Sequence, residues 1–193
     1  MDTDVMVGFG GKQAWLAVRD GDPAQVLEAL GLRDLGEVRW RDGIDLAHLS
    51  DDRVAVTPPL PGARDTSWVL AAGRYLMRPD TKLDVIELSQ RLHTEVQFFS
   101  THRVTESHRW QRAVDGELVR AFGYVGQTGD VTSWHGEPDP AERSAGLPAT
   151  FVDEETSILV SEQDVLKVAD GWSINPARLD GKAPGPLRVG AAD

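Results

Sequence analysis

The sequence contains no cysteine among its 193 residues. Disulfides, thiolate metal ligands and a cysteine nucleophile are excluded together, and the composition fits a reducing compartment. No apolar run approaches the ~18 residues that a membrane-spanning helix needs. The N-terminal MDTDVMVGFGG has no basic segment ahead of an apolar stretch, so no secretory signal is expected. A cytoplasmic protein with no membrane partner is the expectation. Bases are also scarce, with 20 Lys and Arg against 31 Asp and Glu, a net charge of −11. From Gln127 onward twelve acids face five bases, so −7 of that charge falls in the last third. A field of that sign repels phosphate backbones, which argues against nucleic acid and favours a basic protein partner.

Motifs of common chemistries are missing too. There is no HExxH, GxSxG or GxGxxG. GFGGK at residues 8–12 lacks the spacing and the following Ser or Thr of a P-loop, and reads as a lead-in to a strand. Glu137, Asp139 and Glu142 form an acidic cluster without the dense oxygen spacing of a calcium loop. Neither a metal nor a cofactor is expected.

What is present is an ordinary globular mixture, 40% hydrophobic and 26% charged, punctuated by clear element signals. Gln13–Val18 reads as a buried strand. GDPAQVLEALG follows as a helix, with Asp22 at the N-cap, Pro23 in the first turn and Gly31 beyond the end. Short strands are expected at Glu37–Trp40 and Val54–Thr57, the second stopped by Pro58, Pro59 and Pro61. Thr66–Ala72 is another buried strand, Asp84 and Glu87 open a helix running to about Leu92, and Glu95–Phe99 is a strand. Strand–helix–strand thus occurs twice, at 13–40 and 66–99, a pattern open to reading as a faint duplication. After Glu106 the pattern becomes a β-meander. Two strands are joined by Asp115-Gly116, and a turn near Gly126–Asp130 leads into Val131–Trp134. His135–Pro148 reads as loop, Ser161 and Asp164 open a last helix ending near Gly171, and the Pro- and Gly-rich tail from Gly181 reads as frayed. The expectation is an α+β fold over 1–193: a mainly antiparallel sheet, a C-terminal meander and about three helices. Its single domain is open to division into two lobes, 1–100 and 101–193, sharing one core.

VAVTPPLPG with TSWVLAAG, LSQRLHTEVQFFSTHRV, HRWQRAVDGELVRAFGYVGQTGDV and GEPDPAE are the distinctive runs. In these, over roughly residues 53–180, the chain resembles a family of uncharacterised small bacterial proteins with a Trp-centred strand, an FFSTHRV strand and a GELVRA hairpin. The resemblance implies one domain and no particular activity. Such proteins look like the small products found among bacterial toxin–immunity loci.

A two-residue Asp115-Gly116 loop would set Gln111 opposite Arg120 and Trp110 opposite Ala121. Alternation then places Trp110, Val114, Val119 and Ala121 on a core face. Arg109, Gln111, Leu118, Arg120, Phe122 and Tyr124 share the other, whose mix of arginine and aromatics suits an interface. A half-covered face with Arg stacked on the rings is the plainer reading. Trp134 is the tryptophan expected to line a groove. His102, Glu106 and His108 lie close enough along the chain to edge a cleft beside the 106–134 meander, as acid–base groups or ligand contacts. A non-catalytic binding protein is therefore expected, immunity-like and directed at a basic partner through Arg109, Gln111, Arg120, Phe122, Tyr124 and Trp134. The alternative is a small-molecule binder or enzyme using the cleft with His102, Glu106 and His108.

Overall fold

The computed structural model describes residues 4–150 and 158–193. Its strands are β1 (Ala14–Arg19), β2 (Arg33–Val38), β3 (Arg53–Val56), β4 (Leu60–Gly62) and β5 (Thr66–Ala72), then β6 (Glu95–His102), β7 (Ser107–Val114), β8 (Glu117–Val125), β9 (Asp130–His135) and β10 (Leu187–Ala191). Its helices are α1 (Pro23–Ala29), α2 (Trp40–Leu49), α3 (Val85–Leu92), α4 (Pro140–Ser144) and α5 (Glu162–Trp172). All ten strands join one antiparallel sheet in the order β2-β10-β3-β5-β1-β6-β7-β8-β9, with β4 paired to β5. The fold is α+β, with an extended meander β6–β9 at one side.

The central strands are apolar on both faces because both are covered. Trp15, Ala17, Trp68, Leu70, Phe99, Trp110 and Phe122 point to one side, where α2, α4 and α5 pack. Leu16, Val18, Val69, Ala71, Val96 and Phe98 point to the other, under α1 and α3. Alternation along β1 and β5 therefore sends large side chains into two separate cores. Trp15 stacks on Phe99 at 5.2 Å, and Phe99 in turn meets Trp172 of α5 at 5.9 Å. Burying five tryptophans this way supplies much of the apolar area removed from water.

Local signals placed several ends correctly. Asp22 accepts from the Gln25 amide at 3.0 Å, and Gly31 takes φ 69 beyond α1. Asp84 accepts from the Ile86 and Glu87 amides to start α3, and Ser161 with Asp164 forms a capping box on α5.

Four expectations need correction. Trp40 opens α2 instead of ending a strand, because its ring, Ile44 and Ala47 form one helical stripe on the first core. Residues 140–144 are helix, not loop, held by a complete Asp139/Glu142 capping box. The tail is not frayed. β10 inserts between β2 and β3, with Leu187 and Val189 buried and the Ala192 amide bonded to the Asp52 carbonyl at 2.9 Å. The two strand–helix–strand segments are not equivalent either: β1 lies beside both β5 and β6, while β2 is the sheet's far edge.

Candidate functional site

The hairpin register decides where the anticipated binding residues go. Val114 does face Glu117 and Ala113 faces Leu118, but Arg112 then faces Arg120, leaving Val119 as an extra residue in β8. This β-bulge shifts every later pair by one, so Trp110 lies opposite Phe122 and His108 opposite Tyr124. Arg120, Phe122 and Tyr124 consequently turn into the core, at 2%, 0% and 3% exposure. Arg109 and Gln111 remain on the opposite face, with the Arg109 guanidinium 5.6 Å from the Phe98 ring. The expected exposed face of Arg109, Gln111, Arg120, Phe122 and Tyr124 does not exist. Trp134 is half-buried, edge-on to Phe122 at 5.9 Å and capped by Arg120 at 4.4 Å.

Arg120 instead joins a buried polar network that fastens α4 to the sheet. Its Nε donates to both oxygens of Glu142, at 2.8 and 3.1 Å, and its Nη1 donates to the carbonyls of Ala121, His135 and Gly136. Glu142, fully buried, also accepts from Trp110 Nε1 at 2.6 Å and from the Asp139 amide at 3.0 Å. Nearby, Glu95 accepts from Arg64 and Gln97, and Arg112 lies between Glu95 at 3.4 Å and Asp139 at 3.7 Å. Trp172 Nε1 donates to Asp139. Of the acidic cluster noted in the sequence, Asp139 and Glu142 are thus a helix cap and an internal counter-charge, while Glu137 is exposed.

The alternative cleft residues are also separated. His108 is buried, its Nδ1 3.0 Å from Thr101 Oγ1, and burial pushes its pKa below the usual value even though Glu162 and Glu106 pull it upward. Glu106 occupies a left-handed turn at φ 50, with its carbonyl bonded to the Gly126 amide. Of the three, His102 lines a sizeable cavity.

That cavity is an open depression of about 1210 Å³ at the end of the central strands. It gathers where β1 and β3 begin and β5 and β6 end, so four separate chain segments contribute to it. Lys12 enters from before β1, Arg74 and Arg78 from the 3-10 turn after β5, and Arg103 from the turn after β6. His48 and Asp51 come from the α2–β3 junction, while Met77, Pro79 and Val104 give apolar wall. Four fixed cations and two histidines thus surround one lining acid, Asp51, in a chain of net charge −11.

Backbone geometry holds this arrangement. Lys12 sits at φ 57, and its amide donates to Glu162 Oε2 at 3.0 Å. Glu162 at the start of α5 also receives Arg103 Nη2 at 2.9 Å and Thr101 Oγ1 at 3.4 Å. Partial burial alone would raise its pKa, but these donors together hold it below the usual value. Arg74 Nε lies 3.1 Å from Asp51, and Arg78 pairs with Asp80. His48 Nε2 is buried without a hydrogen-bond partner, and burial keeps that ring's pKa low. No family model, curated protein or solved structure matches this chain. The resemblance read from its strand and hairpin motifs gains no support from these comparisons, and function must be argued from this geometry.

Sequence reasoning missed Lys12, His48, Asp51, Arg74, Arg78 and Arg103. They are scattered over ninety-two positions of chain, and no spacing rule joins them. The one available signal was Gly-Gly-Lys at 10–12 just before a buried strand, which places a cation at a strand entrance.

Proposed function

We propose that the protein is a binding protein, and that the depression at the ends of β1, β3, β5 and β6 is where it holds a small molecule. One observation carries this reading: side chains of like charge from separate segments converge on a single concavity, in a protein that is otherwise strongly acidic. Asp51, Asp80 and Glu162 offset Arg74, Arg78 and Arg103, and Lys12 adds a positive charge beyond those pairs, so pairing alone does not account for the cluster. Concavity with apolar wall and a few convergent polar groups is the usual form of a ligand site. The walls offer neither serine nor cysteine as a nucleophile. Binding rather than turnover fits that inventory.

The test is a small-molecule library screened by protein amide chemical shifts. Ligands should move the resonances of 11–13, 48–51, 74–79 and 102–104 together. Ligands that bind reproducibly elsewhere, with this region silent, would refute the assignment.

The immunity-like reading, directed at a basic partner, keeps a narrower support at the β2 edge of the sheet. There β2 and α2 carry exposed Asp34, Glu37, Asp42 and Asp45 beside exposed Leu35, Leu46 and Leu49. Arg188 already offsets Asp34 at 2.6 Å and approaches Glu37 at 3.6 Å, which weakens that patch. A stoichiometric basic protein, lost when these acids are replaced by amides, would favour it over the depression.

A further inference from the structure

The fixed charges around the depression are not equally committed. Lys12 is exposed, and its ammonium makes no ion pair with the described residues. Arg103 commits one terminal nitrogen to Glu162, and Arg74 approaches Asp51 through Nε alone. A guanidinium carries five N–H donors and an ammonium three, so most of the donors here remain available. They come from three directions, before β1, after β5 and after β6. A planar carboxylate fits one such fork, whereas a tetrahedral group with several charged oxygens can meet donors arriving from three sides.

We propose that the ligand of this depression is a compact, multiply charged anion of the phosphoryl class, an inference that rests on the depression being the ligand site. Long polyanions are disfavoured by the same electrostatics. Exposed charges act over a screening distance of only ~8–10 Å, so a short anion feels the local cations while a nucleic acid also meets the acidic surface beyond. The walls select the rest of the ligand. Met77, Pro79 and Val104 are apolar, and among the lining residues there is no Phe, Tyr or Trp. Tyr75 lies under the Arg78 guanidinium at 5.9 Å. No large aromatic platform for a nucleobase is offered beyond the two imidazoles, so the body attached to the phosphoryl group is aliphatic or sugar-like.

The experiment is an amide-shift titration of the full chain with four probes: pyrophosphate, citrate, spermidine and trehalose. Pyrophosphate should bind tightest, move the Lys12, Asp51, Arg74 and Arg103 resonances together, and weaken as salt is added. Lys12→Gln and Arg74→Gln should each weaken it about tenfold, the loss expected for one charge-assisted hydrogen bond. Both side chains are exposed, so an unchanged thermal midpoint will show that the fold survives. Tighter binding of citrate would overturn the phosphoryl class. Binding of spermidine or trehalose in the depression with pyrophosphate silent would overturn it while leaving the ligand site standing. Silence of the depression to all four would bring down both. Pyrophosphate binding indifferent to the two substitutions would show a diffuse surface effect and overturn the proposal.

Discussion

Glu142→Ala is the perturbation that most directly tests how the meander side of the fold is held. The carboxylate is fully buried, and the Arg120 side chain opposite it is only 3% exposed. Removing Glu142 strands a guanidinium inside the protein, leaving Nε without an acceptor and Trp110 Nε1 without its 2.6 Å partner. Breaking one side of a buried ion pair costs about 3–5 kcal/mol, because the surviving charge stays desolvated. The three carbonyls still bonded to Nη1 keep the loss toward the lower end. Even so, about 3 kcal/mol is a large part of the 5–15 kcal/mol typical of a whole domain.

Urea unfolding followed by both tryptophan fluorescence and far-ultraviolet circular dichroism measures this, with coincident midpoints confirming a two-state transition. Glu142→Gln should cost about 1–3 kcal/mol, since one acceptor oxygen survives while the charge does not. Replacing both partners, Arg120→Met with Glu142→Leu, should recover most of the stability, because no unpaired charge remains. A loss below about 1 kcal/mol for Glu142→Ala would refute the reasoning. It would mean that water reaches Arg120, or that α4 is not held as described.

Further outcomes follow from the same geometry. Stability should be full above pH 6.5 and fall below it: the buried rings of His48 and His108 titrate lower than that usual value, so the unfolded chain binds protons first. A second decline should begin below pH 4.5 as Glu162, whose folded value is depressed, loses its advantage; His108→Gln should reduce the first step to the His48 share in pH-dependent urea midpoints. Gly136→Ala should cost about 2 kcal/mol or more, since Gly136 is at φ 73 and a Cβ there would lie 2.4 Å from the Val119 carbonyl. Deleting Val119 should cost no more than about 1 kcal/mol, because removing the extra, exposed residue leaves Ala113 opposite Leu118 and Trp110 opposite Phe122 in a regular ladder. Lost protection of the Trp110 indole N–H in that deletion would contradict this.

Most element starts were legible because their signals are local. Asp22, Asp84 and Ser161 each satisfy amides within three residues of themselves. The stretches misread were those decided at a distance. α2 contains Gly43 and Asp45 and has weak helix propensity. It forms because Trp40, Ile44 and Ala47 reach the core, and because Gly43 lets the helix approach Leu187 and Val38 where any Cβ would be too close. β10 looks like a Pro- and Gly-rich tail until β2 and β3 are in place to receive it. No window of sequence contains those partners.

The site was less legible than the fold for a related reason. Alternation carries face assignments along a strand only while the register is regular, and one inserted residue reverses everything beyond it. Val119 shows no signature of a bulge; it is a β-branched residue in a β-rich run. What selects the bulge is the far side of the reversal. With it, Arg120 meets Glu142, Phe122 lies 4.5 Å from Trp110, and Tyr124 is buried; without it, these would leave this core and Val119, Ala121 and Gly123 would replace them. Chemistry-bearing types such as Arg, Tyr and Trp therefore gave a misleading signal in the meander, where they are structural. In the depression similar types sit on four unrelated segments and gave no signal at all. A cation cluster at the ends of antiparallel strands is assembled by strand order, and strand order is fixed by which apolar runs pair.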